Sequence, residues 1–230
     1  MANVWAVRMT TLALVGVVAL TGCGDDDDAS PTAPAMQAMV MAVHASPNAP
    51  AVDLLVDGTV AGAGLAYPNN TGYLTVGAGT RNLKVNVAGT STTVIDANVA
   101  VAAGTNYSVF ACDSVSKIGA VVLTDDLAAP AAGKAHVRFV HLSPNAPPVD
   151  VALQGGAVIF ANTAFKGNTP FTPVDAGTYN LEVRLAGTGT VVLPLPGIAL
   201  QTGKIYTVFA RGFVGGAGAQ ALGAQIIANN

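Results

Sequence analysis

The stretch VHASPNAPAVDLLVDG at residues 43–58 decides the fold, because a close copy, VHLSPNAPPVDVALQGG, occupies residues 140–156. The two copies are 97 residues apart, counted from His44 to His141. In each copy a serine, a proline and an asparagine follow one another, which is the residue order of a type I β-turn. A second proline, a few residues later, keeps the chain extended beyond the turn. The string therefore predicts the same chain reversal, followed by a strand, in two places.

The similarity between the two halves extends far beyond this string. Residues 73–90, YLTVGAGTRNLKVNVAGT, match residues 171–188, FTPVDAGTYNLEVRLAGT. Residues 103–111, AGTNYSVFA, match residues 202–210, TGKIYTVFA. The offset between the copies grows only through small insertions between strand-like runs. This is the pattern of a duplicated domain whose loops have changed in length.

The limits of the duplication predict two domains, residues 36–126 and residues 135–230, with residues 127–134 as the linker between them. A segment of about 95 residues is long enough to bury a hydrophobic core of its own. We therefore expect the two domains to fold independently of each other.

Alternating hydrophobicity indicates that both domains are built from β-strands. Apolar and polar side chains alternate in LKVNV, residues 83–87, and in LEVRL, residues 181–185, as in a strand with one buried face. Residues 35–43, AMQAMVMAV, are also compatible with a helix, but their counterpart at residues 132–140 alternates, which favours a strand. Gly, Pro and Asn separate the apolar runs, which favours a sandwich. The predicted fold class is all-β, with two tandem immunoglobulin-like antiparallel β-sandwich domains of about seven or eight strands each.

The N-terminal residues indicate export from the cytoplasm. Residues 1–22 combine one arginine with the apolar run TLALVGVVAL, which is too short to span a bilayer and is typical of a signal peptide. The run ends in LTGC at residues 20–23, which resembles the lipobox of bacterial lipoproteins. That resemblance implies cleavage before Cys23 and a diacylglyceryl group on its thiol. Several acyl chains together give stable anchoring in a membrane.

Residues 23–35 predict a tether rather than part of a domain. The four consecutive aspartates at residues 25–28 repel one another, and the Pro-containing stretch of small residues after them cannot form a core. From residue 29 onward the chain carries nine acidic and nine basic side chains, so the formal net charge of this part is zero. Because no basic stripe is present to neutralise phosphates, we expect no nucleic-acid partner.

The polar residues of the repeated string are the candidates for chemistry. They are the same in both copies: His44, Ser46, Pro47, Asn48 and Asp53 in the first, and His141, Ser143, Pro144, Asn145 and Asp150 in the second. A Ser-His-Asp set suggests a hydrolase, in which a carboxylate orients a histidine that activates the serine. However, each serine precedes a proline and lies in no G-x-S-x-G nucleophile turn. We therefore expect a structural turn, in which the aspartate accepts hydrogen bonds from the turn amides.

One histidine and one aspartate per copy are too few ligands to hold a metal ion. The sequence therefore predicts no metal site, and it contains no motif for a cofactor.

Aromatic residues, the usual platform for glycans, give little support for a sugar-binding surface. Trp5 is the only tryptophan and belongs to the predicted signal peptide. Phe160 and Phe213 have no aromatic counterparts in the first copy and are the candidates for exposed rings. Cys112 aligns with Arg211, a residue type that is seldom fully buried, which predicts a free thiol near solvent.

Three motifs together resemble the bacterial family named domain of unknown function 4397. They are the string V-H-x-S-P-N-A-P-x-V-D, a strand of the type A-G-T-Y-x-L-x-V, and a strand of the type G-x-x-Y-T-V-F-A. The pattern occurs twice and covers nearly all of the chain after the N-terminal segment. The resemblance implies immunoglobulin-like β-sandwich modules of secreted or surface-anchored proteins, and it implies no catalytic residues.

These observations favour a protein of the cell envelope that is not an enzyme. We expect the lipid on Cys23 to anchor it to a membrane, the outer one if the cell has two, since Gly24 rather than an aspartate follows the cysteine. Its expected role is to display the two domains for binding or structure, with an envelope protein or a glycan as the candidate partner. Two alternatives stay open: a carbohydrate- or peptide-binding module of an envelope complex, and a Ser/His/Asp hydrolase.

Overall fold

The computed structural model describes residues 36–230, which form sixteen β-strands and two single turns of 3₁₀-helix. The strands of the first repeat are β1 Gln37–His44, β2 Val52–Val56, β3 Thr59–Leu65, β4 Asn70–Gly77, β5 Gly79–Val87, β6 Thr93–Val101, β7 Asn106–Cys112 and β8 Gly119–Asp125. The strands of the second are β9 Lys134–His141, β10 Val149–Leu153, β11 Val158–Thr163, β12 Thr172–Asp175, β13 Gly177–Leu185, β14 Val191–Leu200, β15 Ile205–Arg211 and β16 Gly223–Ala228. The helical turns lie at Val115–Lys117 and Gly218–Gln220. The predicted signal peptide, Cys23 and the tether lie outside the described residues.

Each repeat forms two four-stranded sheets. In the first repeat the strand orders are β4-β1-β7-β8 and β3-β2-β5-β6. In the second repeat they are β12-β9-β15-β16 and β11-β10-β13-β14. The predicted fold class of two tandem all-β sandwiches is therefore confirmed, and the ambiguous segment at residues 35–43 contributes the strand β1.

One pairing in each domain differs from the antiparallel arrangement that the sequence predicts. β1 pairs with β7 in parallel, and β9 pairs with β15 in the same way. A parallel pair needs a long connection between its strands, and in both domains most of the remaining strands lie between the two partners in the chain. No pattern within a few residues could therefore predict that β1 pairs with β7 and β9 with β15.

A hydrophobic core fills the space between the two sheets of each domain. We call the sheets that contain β1 and β9 the inner sheets, and the other two the outer sheets. In the second domain Phe139 and Val208 of the inner sheet pack with Val151 of the outer sheet. In the first domain the buried residues form two clusters, one around Val40 and one around Val52. Each domain thus buries a core of its own.

A further hydrophobic core joins the two inner sheets to each other. Its buried members are Met41, Val43, Ala45, Phe110 and Cys112 of the first domain, and Val140, Leu142, Phe209 and Ile227 of the second. The rings of Phe110 and Phe209 meet edge to face, with their centroids 5.8 Å apart. The inner sheets are therefore covered on both faces, and the described residues form one compact unit. Independent folding of the two domains stays a prediction.

A buried ion pair belongs to the same interface. Nη2 of Arg138, in the second domain, lies 2.6 Å from Oδ1 of Asp125, in the first, and their side chains are 2% and 0% exposed. The hydroxyls of Tyr73 and Ser108 donate hydrogen bonds to the other carboxylate oxygen of Asp125. Burial and the bond to Asp125 raise the pKa of Tyr73, so its hydroxyl stays protonated as a donor. Arg138 also donates to Oγ1 of Thr207, and the network thus links the two domains.

Candidate functional site

The repeated string carries the chain from the inner sheet to the outer sheet at one end of each domain. In the first domain it runs from the end of β1 at His44 to the start of β2 at Val52. In the second domain the amide of Ala146 donates to the carbonyl of Ser143, which is the hydrogen bond that closes a β-turn. We call this end of each domain, with the loop that packs against the string, the motif end.

The histidine of each string is fully buried and bonded to its own string. Nε2 of His44 lies 2.9 Å from the carbonyl oxygen of Pro50, and Nε2 of His141 lies 3.1 Å from that of Pro147. Because a carbonyl only accepts, Nε2 carries the proton in both rings. Burial lowers the pKa of both histidines, and the bond to the proline carbonyl opposes that effect. Both histidines are therefore neutral hydrogen-bond donors that stabilise the string.

The asparagine of each string, together with the serine of the second string, holds the loop that follows β7 or β15. In the second domain Oγ of Ser143 donates to the carbonyl of Gly212 at 2.6 Å. Asn145 forms two hydrogen bonds with the backbone of Val214, one as donor at 3.0 Å and one as acceptor at 2.8 Å. In the first domain Oδ1 of Asn48 accepts from the amide of Val115 at 2.8 Å. These loop partners were not found from the sequence, because they lie about 70 residues away in the chain.

The aspartates do not bond to the turn, so the prediction that they accept from turn amides is wrong. The carboxylate of Asp53 accepts from the amides of Gly64 and Gly89, at 2.7 Å and 2.9 Å. These amides belong to the strand and hairpin on either side of β2, because β2 lies between β3 and β5. The same two hydrogen bonds lower the pKa of Asp53.

Asp150 has the same role in the second domain. Its carboxylate accepts from the amides of Asn162 and Gly187, at 2.6 Å and 2.9 Å. Each aspartate thus ties three neighbouring segments of the outer sheet together.

This geometry does not form a catalytic triad. Within residues 36–230 no hydrogen bond joins the side chains of His44, Ser46 and Asp53 to one another, and Ser46 is fully buried. In the second domain the hydroxyl of Ser143 donates to a backbone carbonyl and is equally buried. A nucleophile must reach a substrate and must bond to its base. Neither condition is met.

The described part of the chain also offers no residues for a metal site or for an exposed aromatic platform. No group of three His, Cys, Asp or Glu side chains there is placed to hold a metal ion. Every tyrosine and phenylalanine side chain of residues 36–230 is buried or half-buried. The expectation of an exposed Phe160 is wrong, because it lies in the core of the second domain, and Phe213 is half-buried. The same residues contain no helix with the length and apolar character needed to cross a membrane.

Cys112 is buried rather than close to solvent, which corrects the prediction from its alignment with Arg211. The thiol is free and belongs to the core between the inner sheets. Burial raises its pKa to about 11. Arg211 instead lies at the rim of the interface, with its guanidinium 5.7 Å from the ring centroid of Tyr67. Cys112 and Arg211 are equivalent in the repeat, but the opposite domain covers Cys112 and leaves Arg211 half-buried.

Comparisons with known proteins give one family and a distant likeness. A family model described as "Domain of unknown function (DUF4397)" matches residues 38–152, which include the whole first string and the second string as far as residue 152. Among solved structures, the chain is similar to CBMbc, a family CBM26 module of Amy13K from Eubacterium rectale in complex with maltoheptaose. That likeness has 11% identity and a TM-score of 0.25, and it covers 84% of this chain and 96% of the other. No curated protein matches the chain.

Proposed function

The chain belongs to the DUF4397 family, and we propose that it is a lipid-anchored protein of the bacterial cell envelope that presents its two domains as one rigid, non-catalytic binding module. The observation that carries the proposal is the use of the repeated string. His141, Ser143, Asn145 and Asp150 all bond to backbone groups of their own domain. Residues used in this way stabilise a surface and its loops rather than react with a substrate.

We propose no catalytic activity because of the burial of the histidine and serine and because of the hydrogen bonds that the string residues form. His141 and Ser143 are both 0% exposed, so a substrate at the surface of the domain does not contact them, and the hydroxyl of Ser143 donates to the carbonyl of Gly212. The carboxylate that would orient the histidine instead accepts two backbone amides. A hydrolytic activity that Ser143→Ala abolishes while the melting temperature stays the same would contradict this part of the proposal.

Anchoring in the proposal rests on the N-terminal sequence. LTGC at residues 20–23 supplies the small residues before a cysteine that the lipobox requires, and the rest of the tether predicted at residues 23–35 lies between that cysteine and β1 in the sequence. Gly24 at the position after the cysteine favours the outer membrane in a cell with two membranes. The two domains would then be held close to a membrane surface by the lipid.

The test is membrane fractionation of a Cys23→Ser variant in the native host. We expect the unaltered protein in the membrane pellet, labelled by a radioactive fatty acid, and the variant unlabelled and outside the pellet. Cys112→Ala is the matched control, because that thiol is buried between the domains and its removal should leave both labelling and fractionation unchanged. An unlabelled wild-type protein, or a Cys23→Ser variant that stays in the pellet, would overturn the anchor.

A glycan ligand would have to bind without an aromatic platform, since the described part of the chain has no exposed tyrosine or phenylalanine. The exposed large apolar residues there are valines and one methionine. The surface chemistry thus gives the sugar-binding alternative no specific support.

A further inference from the structure

The motif end of the second domain contains a cavity of about 390 Å³. It lies between the inner and outer sheets, under the repeated string. Its wall includes Val149 and Val183 of the outer sheet, Ala210 of the inner sheet, and Val214 and Leu222 of the loop after β15. Small-molecule sites in proteins usually measure about 300–1,000 Å³ and are mostly apolar. The cavity has the size and the composition of such a site.

The first domain has no comparable space, although the residues of its wall are equally apolar. Its corresponding cavity, lined by Val52, Val85 and Ala111, measures about 20 Å³. The domains differ in the loop that covers the motif end. The loop after β7 spans residues 113–118, whereas the loop after β15 spans residues 212–222 and supplies Val214 and Leu222 to the wall. The longer loop therefore accompanies the larger cavity.

That loop has a defined conformation. Ser143 and Asn145 of the string hold its first residues by hydrogen bonds, and the amide of Phe213 donates to the carbonyl of Gln220 across it. Gly212 has a φ of +80°, and a Cβ there would overlap the carbonyl of Ala221. Only glycine fits this close backbone approach. The wall of the cavity is thus built by specific contacts and is preformed.

The polar groups of the wall are already bonded within the protein. His141 and Ser143 are the polar side chains that line the cavity, and no charged side chain does. Nε2 of His141 donates to Pro147, its Nδ1 accepts from the amide of Ser143, and the hydroxyl of Ser143 donates to Gly212. A polar ligand would lose hydrogen bonds to water and gain none here, whereas an apolar cavity accepts apolar molecules.

We infer that the second domain binds a small, uncharged, apolar molecule in this cavity and that the first domain does not. The inference rests on the proposed non-catalytic binding role and names the chemical class of its ligand. The two domains then have different roles: the first packs against the second as part of the rigid module, and the second binds the apolar molecule.

The test is a fluorescence titration of residues 36–230, which contain all sixteen strands and every core, with N-phenyl-1-naphthylamine, an uncharged apolar probe. We expect saturable binding of one molecule per chain. Ala146 lines the cavity, so Ala146→Phe should fill it and raise the dissociation constant about tenfold or more, equivalent to about 1.4 kcal/mol. Ala49→Phe, at the same place in the first string, is the matched control and should leave the dissociation constant unchanged.

A xenon-pressurised crystal of the unaltered protein gives a second measurement that needs no variant, and it decides the matter if Ala146→Phe does not fold. We expect a xenon peak in the cavity of the second domain and none at the motif end of the first. Absence of saturable probe binding, an equal effect of the two substitutions, or a cavity without xenon would each overturn the inference. Because residues 36–230 do not include Cys23, a failure to bind the probe is separate from a failure of the membrane anchor.

Discussion

His44 and His141 are fully buried, and each donates one hydrogen bond to the carbonyl of a proline six residues ahead. Around them Ser143 and the two asparagines, Asn48 and Asn145, hold a distant loop of their own domain, and each aspartate ties neighbouring segments of the outer sheet. The residues that most resemble a catalytic set therefore serve the fold. The neutral histidines donate hydrogen bonds and the aspartates accept them within the fold, and this has two measurable consequences.

The first is an acid sensitivity that comes from the histidines. Burial lowers the pKa of both below the ordinary value of 6.5, so protonation favours the unfolded chain, where the rings are solvated. Their stabilising contribution is fully present above pH 6.5 and is lost as the pH falls below it. We expect the melting temperature to fall between about pH 7 and about pH 5.

A double variant, His44→Gln with His141→Gln, is the comparison for this effect. Glutamine keeps a donor for the proline carbonyl but does not titrate, so the fall in melting temperature over the same range should be smaller. The carboxylate of Asp53 does not account for the effect, because its pKa lies below 3.8. An equal pH dependence of the variant and the unaltered protein would exclude the histidines as the cause.

The second consequence concerns Asp150, which is 5% exposed and accepts two backbone amides. Asp150→Ala leaves both amides without a partner, and the loss of such charge-assisted bonds costs about 1.5–3 kcal/mol. For a unit of this size each kcal/mol lowers the melting temperature by about 2–4 °C. Thermal denaturation followed by circular dichroism should show a fall of that order.

Asp175→Ala is the control for Asp150→Ala. Its carboxylate is 76% exposed and pairs only with Lys134 at the surface, and such pairs contribute little. A fall for Asp150→Ala as small as that for Asp175→Ala would mean that the amides of Asn162 and Gly187 find other partners when Asp150 is removed.

At the scale of single elements, the strands β1, β7, β9 and β15 have an unusual property: both of their faces are buried. In β9, Val137 and Phe139 point into the core of the second domain, whereas Arg138 and Val140 face the first domain. Strands with two buried faces are usually apolar on both of them, and β9 differs because Arg138 lies on its face toward the first domain. Arg138 is tolerated on such a strand because Asp125 neutralises it across the interface.

This arrangement predicts the effect of breaking the ion pair. Arg138→Met should destabilise the protein by about 3–5 kcal/mol, because it leaves the carboxylate of Asp125 buried without its charge partner. Met41 and Asn229 occupy the places of Arg138 and Asp125 in the other copy of the repeat. Arg138→Met combined with Asp125→Asn makes the two sides alike and should recover most of the lost stability.

Urea denaturation of the unaltered protein and of these two variants measures the effect. If the double variant is as unstable as Arg138→Met alone, the cost comes from lost packing around the guanidinium, which lies 4.5 Å from the ring centroid of Phe171, rather than from an uncompensated charge.

At the largest scale, residues 36–230 form a stack of four sheets, in the order outer, inner, inner, outer. Phe110 and Phe209 are equivalent in the repeat and contact each other, as residues do across a two-fold axis between identical subunits. The two domains thus associate in the way that two subunits of a symmetric dimer would. The covalent linker adds a high effective concentration of one domain for the other.

Separation of the domains should therefore expose two complementary apolar faces. We expect the fragments 36–126 and 135–230 to bind each other when mixed, giving one complex of both fragments whose melting temperature exceeds that of either alone. Size-exclusion chromatography with light scattering measures the complex, and Phe209→Asp, which buries a charge in the shared core, should prevent it. Fragments that stay monomeric when mixed, and melt as they do alone, would show that the interface contributes little stability.

The sequence by itself determined the class of fold and its duplication. Alternation at residues 83–87 and 181–185 identified strands, and the repeated string with its prolines located the same reversal in both domains. These features are local: a strand shows its period within a few residues, and a proline limits the backbone at its own position. The exclusion of a nucleophile turn was local in the same sense, because it depended only on the residues beside each serine.

Only the tertiary structure decided what lies against each buried group. The acceptor role of Asp53 was predicted, but its partners Gly64 and Gly89 were not. Cys112 is buried because the opposite domain covers it, and the cavity of the second domain exists where a longer loop meets the string. The physical reason is the same in each case. A pattern along the chain shows which side chains share a face, whereas the atoms that cover that face come from segments far away in sequence.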